Sequence, residues 1–79
     1  MYYIYLLKSL SSGVYYVGMA KDIQMRLKEH NSGKSRYTKG HQPFELIYQE
    51  GPFATVEARE REKYLKRSDV KQRIISKLN

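Results

Sequence analysis

The amino-acid sequence predicts one small α/β (α+β) domain with the element order β-β-α-β-α-α. Three observations carry that prediction. Residues 2 to 18 hold two dense apolar and aromatic runs around a Ser-Ser-Gly turn, the pattern of a hairpin. Asp22 opens a stretch in which Ile23, Leu27 and His30 recur at helical spacing, with Arg26 on the flank. Beyond Gly51-Pro52 the chain is strongly charged, with apolar residues recurring at helical intervals.

In order, Tyr2 to Lys8 (YYIYLLK) reads as the first strand, Leu10 to Gly13 as a turn, and Val14 to Val17 as the returning strand, ended by Gly18. With Ser11-Ser12 as a two-residue loop, Leu10 pairs with Gly13, Tyr5 faces Gly18 and Leu7 faces Tyr16. Tyr3, Tyr5, Leu7, Val14 and Tyr16 then share one face, and Ile4, Leu6, Tyr15 and Val17 the other. Both faces are apolar or aromatic, so a sheet covered on both sides is expected. The first helix starts after Asp22, a good N-cap, and ends near Asn31-Ser32-Gly33, where Gly33 suits a left-handed cap. Gly33 to Pro43 (GKSRYTKGHQP) is a basic loop. Phe44 to Tyr48 reads as a third strand, stopped by Gly51-Pro52. Thr55 is expected to cap a second helix reaching about Arg67, with Glu57 in its first turn. Ser68 or Asp69 starts a last helix, with Asp69 read as a cap and Val70, Ile74 and Leu78 as its apolar stripe. There is no internal repeat, linker or low-complexity segment, and residues 1–79 read as one domain.

Composition narrows the function classes. Fifteen Lys and Arg against eight Asp and Glu give a formal net charge of +7 on 79 residues. So basic a small domain favours a polyanionic partner, with nucleic acid ahead of an anionic membrane surface. There is no cysteine, hence no disulfide or thiolate metal site, which suits a reducing cytoplasm. No apolar run approaches the roughly 20 residues of a membrane span, and the N-terminus lacks the layout of a signal peptide. A cytoplasmic protein is the expectation. Eight tyrosines and no tryptophan supply aromatic rings that keep a hydroxyl for phosphate or a reacting oxygen.

One acid on the second helix stands out. Ala58, Glu62 and Leu65 fall at i, i+4 and i+7, so Glu62 shares the stripe expected to turn inward. A carboxylate there needs a partner, because burying it alone costs several kcal/mol. Arg59, Lys66 or a metal ion would each serve; the plain alternative is a surface glutamate in an ion pair.

Taken together, Tyr3-Ile4-Tyr5, Tyr16-Val17-Gly18, Arg26 and His30 in MRLKEH, Lys39 in YTKGHQPFELIY and Glu62 in EAREREKYLK keep the order and spacing of one family. From Tyr2 to about Leu78 the chain resembles the GIY-YIG nuclease domains, and among them the small stand-alone bacterial members. The resemblance implies a small sandwich built on a three-stranded antiparallel sheet flanked by helices. It implies metal-dependent hydrolysis of phosphodiesters, as in homing endonucleases, some restriction enzymes and the incision domain of nucleotide-excision repair. It also implies Tyr5, Tyr16, Arg26 and His30 as catalytic residues and Glu62 as the ligand of one Mg²⁺ or Mn²⁺ ion. Tyr3 departs from the pattern, standing where the family has a glycine that permits close backbone approach.

The chemistry suits these residue types. Phosphodiester cleavage needs a deprotonated water in line with the leaving oxygen and relief of charge on the phosphoryl oxygens. Mg²⁺ takes only one or two protein carboxylates and completes its shell with water and phosphate, so a single Glu62 suffices. Arg26 offers permanent planar donors. Tyr5 or Tyr16 could take the water's proton; a phenol titrates near 10, and Arg26, His30, Lys39 and the metal are expected to lower it. Taken singly, each tyrosine reads as a core aromatic, Arg26 as a solvated arginine and His30 as a helix-end histidine. The nuclease reading therefore requires all five groups to meet around one phosphate. Lys34, Arg36, Tyr37 and Lys39 form a candidate backbone clamp, with Tyr37 for base stacking, and Lys66 serves either Glu62 or phosphate. The expected partner is nucleic acid, DNA ahead of RNA, with a protein partner for targeting because no second domain supplies sequence recognition. The competing readings are a basic nucleic-acid-binding module that does not cut and a protein adaptor using the tyrosine-rich sheet.

Overall fold

The computed structural model describes residues 1–34 and 38–78. Three strands, β1 (Tyr2–Ser9), β2 (Tyr15–Ala20) and β3 (Phe44–Phe53), form an antiparallel sheet in the order β2-β1-β3. Three helices, α1 (Ile23–Asn31), α2 (Thr55–Leu65) and α3 (Ser68–Leu78), complete the expected order.

The centre of the sheet falls to β1 because its residues are apolar on both faces. Ile4, Tyr5, Leu6 and Leu7 are all buried in succession, as a strand covered on both sides requires. Ile4 and Leu6 join Val17, Ala58, Leu65, Val70 and Ile75 under α2 and α3. Tyr5 and Leu7 join Ile23 and Phe44 on the α1 side, with Tyr3, Tyr16 and Leu27 packed against them. The two faces are those the alternation predicts, except that Val14 precedes β2 and is 48% exposed, left outside the sheet by the wider turn.

The expected register holds: Tyr5 pairs with Gly18 and Leu7 with Tyr16. The turn is wider than two residues. Ser9 N–H donates to Val14 O at 2.8 Å and Gly13 N–H to Ser9 O at 3.0 Å, so Leu10 to Gly13 all lie in the loop. Its shape is set by contacts distant in sequence. The fully buried Ser9 hydroxyl donates to His41 O at 2.5 Å and accepts from Ser12 N–H and Ser12 Oγ, each at 3.0 Å. Leu10 N–H donates to Pro43 O at 2.8 Å. The hairpin tip is thus fastened to the segment leading into β3.

Two strands run further than expected. β2 passes through Gly18 to Ala20, because Gly18 still pairs with Tyr5. β3 passes through Gly51-Pro52 to Phe53. Shifts of register between Tyr2 and Ile4 and between Leu6 and Leu7 show β3 carrying extra residues opposite β1. Such bulges on an edge strand accommodate a proline that would break a central one. Gly51 has φ +129°, and a Cβ there would lie 2.9 Å from Tyr2 O and 3.1 Å from Tyr3 Cα. Gly51 thus brings the β3 backbone close against Tyr2 and Tyr3.

Asp22 caps α1 as predicted, accepting from Met25 N–H at 3.1 Å, and Gly33 follows with φ +78°. The cap of α2 is Ala54, without a side-chain bond; Thr55 is already helical. α2 ends at Leu65 with Lys66 as C-cap. On α3 the buried residues are Val70 and Ile75, while Leu78 is 48% exposed and Asp69 pairs with Arg67 at 3.1 Å. Of the expected stripe, Val70 is buried and Ile74 packs, partly buried, against the same core, which Ile75 joins in place of Leu78. Among the described residues, no helix is long and apolar enough to cross a membrane.

Candidate active site

Gly18 makes the site possible. On the α1 face its strand partner Tyr5 lays its ring across the glycine, and a Cβ at Gly18 would meet the Tyr5 Cζ at 2.5 Å. Only a residue without a side chain lets the phenol cross β2, the outer strand on that side of the sheet. There the Tyr5 hydroxyl meets His30 Nε2 at 3.0 Å. His30 arrives from the last turn of α1, fully buried, and its Nδ1 lies 2.7 Å from Thr38 Oγ1. Tyr16, half-buried on β2, packs its ring edge-on to His30 at 5.1 Å between centroids and 6.5 Å from that of Tyr5. Phe44 closes the far side of the imidazole at 6.0 Å, its N–H held by Asn31 Oδ1 at 2.5 Å.

Arg26, one turn before His30, reaches the same hydroxyl and lowers the Tyr5 pKa. It also forms an ion pair with Glu29 at 2.5 Å, in which both side chains are more than a third exposed. Exposed pairs at this spacing are worth only a few tenths of a kcal/mol, so a phosphate can compete for the guanidinium. Tyr5, Tyr16, Arg26 and His30 are therefore gathered into one cluster.

Glu62 comes from the opposite side. α2 covers the Ile4–Leu6 face, and Glu62 sits at the margin of its buried stripe, 24% exposed, with Lys66 Nζ at 3.6 Å. Its charge nonetheless acts on the Tyr5 hydroxyl, as the smallest of the influences raising that group. α2 packs on the face of the sheet opposite the phenols, and the Glu62 charge still reaches Tyr5. Among the described residues no cluster of three or more His, Cys, Asp or Glu forms; the carboxylates that act on the cluster are Glu29, paired with Arg26, and Glu62. Lys34 and Lys39 are exposed at either end of the basic loop, while Arg36 and Tyr37 lie outside the described residues. A cleft of about 420 Å³ lined by Tyr3, Lys21, Asp22 and Gln49 lies beside the start of α1 and contains none of the five candidate residues.

The electrostatics correct one expectation. Tyr5 is pushed up to about 12, first by burial and then by the second phenol of Tyr16, while Arg26 pulls it back only in part. Desolvation of the phenolate outweighs the neighbouring cation, so Tyr5 is a proton-holding hydroxyl at neutral pH. His30 moves the other way, lowered by burial and by Arg26. The neutral imidazole is thus kept available as an acceptor beside the phenol.

Folding stability should record that shift. A histidine whose folded pKa lies below its unfolded value contributes fully above about pH 6.5 and loses that contribution as acid protonates it. Urea midpoints are expected to fall from pH 6.5 downward, before carboxylates titrate, and His30→Gln is expected to flatten that early decline. An equal slope in both proteins would show that His30 carries no such penalty.

Thr38 and Glu29 were not among the sequence-derived candidates. Glu29 stands three residues after Arg26, a spacing that announces an ion pair. Thr38 gives no signal, since a threonine in a basic loop reads as filler until the fold brings it to His30.

The comparisons with known proteins agree with this geometry. The GIY-YIG catalytic domain matches residues 1–76. The chain belongs to the GIY-YIG family. Among curated relatives, a UPF0213 protein of Staphylococcus epidermidis is 41% identical over 66 residues, covering 82% of this chain and 79% of the relative. A UPF0213 protein of Staphylococcus saprophyticus is 42% identical over the same coverage. The solution NMR structure of the UPF0213 protein BH0048 of Bacillus halodurans has a TM-score of 0.58 at 32% identity, covering 96% of this chain and 84% of that one. As a GIY-YIG domain, the chain has a nuclease-type fold of the kind associated with nucleic-acid binding, and its first signature half reads Tyr3-Ile4-Tyr5.

Proposed function

We propose that this protein hydrolyses phosphodiester bonds in DNA or structured nucleic acid, with one Mg²⁺ or Mn²⁺ ion held by Glu62. What carries the reading is the meeting of two phenols, a guanidinium and an imidazole over Gly18 in a chain of this family. The donor set fits the ion: Glu62 offers hard oxygens, and its Lys66 partner at 3.6 Å is loose enough to be displaced. The bound ion would supply Lewis acidity to the phosphoryl oxygens.

The residues of the chain do the rest. Arg26 turns from Glu29 to a non-bridging phosphate oxygen, offering paired N–H donors. Tyr16 orients the attacking water. The water gives its proton to the Tyr5 oxygen as the Tyr5 hydroxyl gives its own to His30 Nε2, 3.0 Å away; the new P–O bond displaces the ester oxygen opposite it, which takes a proton from solvent as it leaves. This step takes His30 as the Nδ1–H tautomer, with Nδ1 2.7 Å from Thr38 Oγ1 and Nε2 as the acceptor. Tyr5 never has to exist as a free phenolate, which its burial disfavours. Lys34, Arg36, Tyr37 and Lys39 hold the backbone in this reading. The small size of the domain implies recognition of shape or single strands, or targeting by a protein partner.

The test is cleavage of labelled single- and double-stranded DNA with Mg²⁺, Mn²⁺ or EDTA. Cleavage with either metal and none in EDTA is expected. Affinity for duplex should fall with salt at a log–log slope of about −0.9 per neutralised phosphate, and Lys39→Ala should reduce the slope by about that much. A slope near zero would remove the phosphate-clamp reading. A second reading, a basic nucleic-acid-binding module that does not cut, is favoured by the existing partners of Arg26 and Glu62 and by the position of α2 on the opposite face. Tight binding without cleavage of any substrate would select it.

A further inference from the structure

We propose that the Glu50–Arg61 pair is a positioning strap that fixes the roll of α2 and so holds Glu62 toward β2. This rests on the catalytic reading above for its purpose, though not for its geometry. α2 is weakly anchored by its own apolar residues: over eleven residues only Ala58 and Leu65 are buried. A small alanine and one leucine seven positions on define a narrow contact line, about which a helix can rock. Side-chain bonds on one flank must then decide its rotation.

Those bonds are present on the β3 side. Arg61 Nε donates to Glu50 Oε1 at 2.9 Å and Nη2 to Glu50 Oε2 at 3.1 Å, a fork onto both oxygens. The Tyr48 hydroxyl donates to Glu50 Oε2 at 2.8 Å, so the carboxylate is itself held from two directions. Glu50 is only 17% exposed, unlike the Arg67–Asp69 pair, whose partners are both more than half exposed. Tyr64 covers the guanidinium from its own helix, its ring centre 5.2 Å from Arg61 Cζ. Bidentate, partly desolvated and triply partnered, this contact has the rigidity that ordinary surface pairs lack.

The geometry carries that constraint to Glu62. Successive residues on a helix lie about 100° apart, so with Arg61 drawn toward β3, Glu62 must lie on the other flank of the Ala58–Leu65 line. With β3 on one side of β1, that flank lies toward β2, which α2 also contacts, and the Glu62 charge acts on Tyr5. Releasing the strap lets α2 roll and the acid withdraw. A misplacement near 1 Å commonly costs about 100-fold in rate.

Arg61→Lys keeps the charge and removes the fork. It is expected to leave the urea midpoint nearly unchanged, to weaken Mn²⁺ binding severalfold, and to lower kcat about 10-fold or more with KM for DNA within twofold. Backbone amide NMR shifts of Val17, Gly18 and Met19, on β2 and outside the strands and helix that carry Glu50 and Arg61, are expected to move. The double exchange Glu50→Arg with Arg61→Glu should restore part of the Mn²⁺ affinity. Shift changes confined to Tyr48, Glu50 and the residues around Arg61 would overturn the strap, as would a loss of Mn²⁺ affinity no greater than the loss of stability explains. Should the wild type neither cleave DNA nor bind Mn²⁺, the catalytic reading falls, while the response at Val17 to Met19 still decides the strap.

Discussion

Glu62→Ala is expected to lower metal-dependent cleavage by at least about 10³-fold while leaving DNA affinity within about threefold. The size follows from the work assigned to the ion: relief of transition-state charge worth several kcal/mol, of which about 4 kcal/mol corresponds to 10³ in rate. Affinity is spared because Glu62 opposes, if anything, a polyanion, and its removal frees Lys66. Folding should survive, since the side chain lies at the margin of the buried stripe and has no hydrogen bond among the described residues beyond the loose lysine contact. Tyr16→Phe, which keeps the ring on His30 and deletes only the hydroxyl, is the control for a change on the other face. Gel-based cleavage with Mg²⁺ and Mn²⁺, beside fluorescence anisotropy for binding, reads both quantities. If Glu62→Ala cleaves as well as the wild type, α2 takes no part in the chemistry.

Gly18→Ala adds one methyl and is expected to cost about 100-fold in cleavage and about 1–3 kcal/mol in stability. The methyl would fall on the Tyr5 ring, with Cζ at 2.5 Å, far inside contact distance. The ring cannot step aside cheaply, because its hydroxyl is bonded to His30 and its flank is packed by Tyr16. Overpacking of this kind in a dense core costs about 1–3 kcal/mol. The phenol must leave His30 to make room, and the proton path is broken at its first bond. Chemical denaturation gives the stability term. The decisive comparison is Tyr5→Phe, which should lose cleavage to a similar extent with less strain. An active, stable Gly18→Ala protein would mean that the Tyr5 ring has another place to go.

Much of this architecture is written in local pattern. The hairpin register could be read because apolar residues fill both faces of β1, and a one-residue slip would have separated Tyr5 from Tyr16. Asp22 and Gly33 mark the ends of α1 through chemistry confined to one turn. What escaped the sequence depends on partners far along the chain. Nothing local says that Ser9 will be buried against His41, which opens the turn. Nothing counts the extra residues that let β3 run through Pro52. The direction of the Tyr5 shift was misjudged for a related reason: a list of nearby cations is visible in sequence, whereas the depth of burial that overrides them is a property of the packed sheet. Glu62 was expected on the inward stripe and lies at its margin, paired with Lys66 as the surface alternative had it; which face of the sheet that stripe covers depends on the crossing of α2, and this no periodicity reveals.

The irregular course of β3 has a bearing on colloidal behaviour. Its outer side faces no other strand of the sheet, so ten residues of backbone would ordinarily be a template for self-association. Two interruptions of register break the even row of donors and acceptors, and Pro52 removes one donor outright. Glu45, exposed near one end, adds charge to what would otherwise be a sticky ribbon. A strand shaped in this way discourages fibril-like stacking between copies, even at high protein concentration.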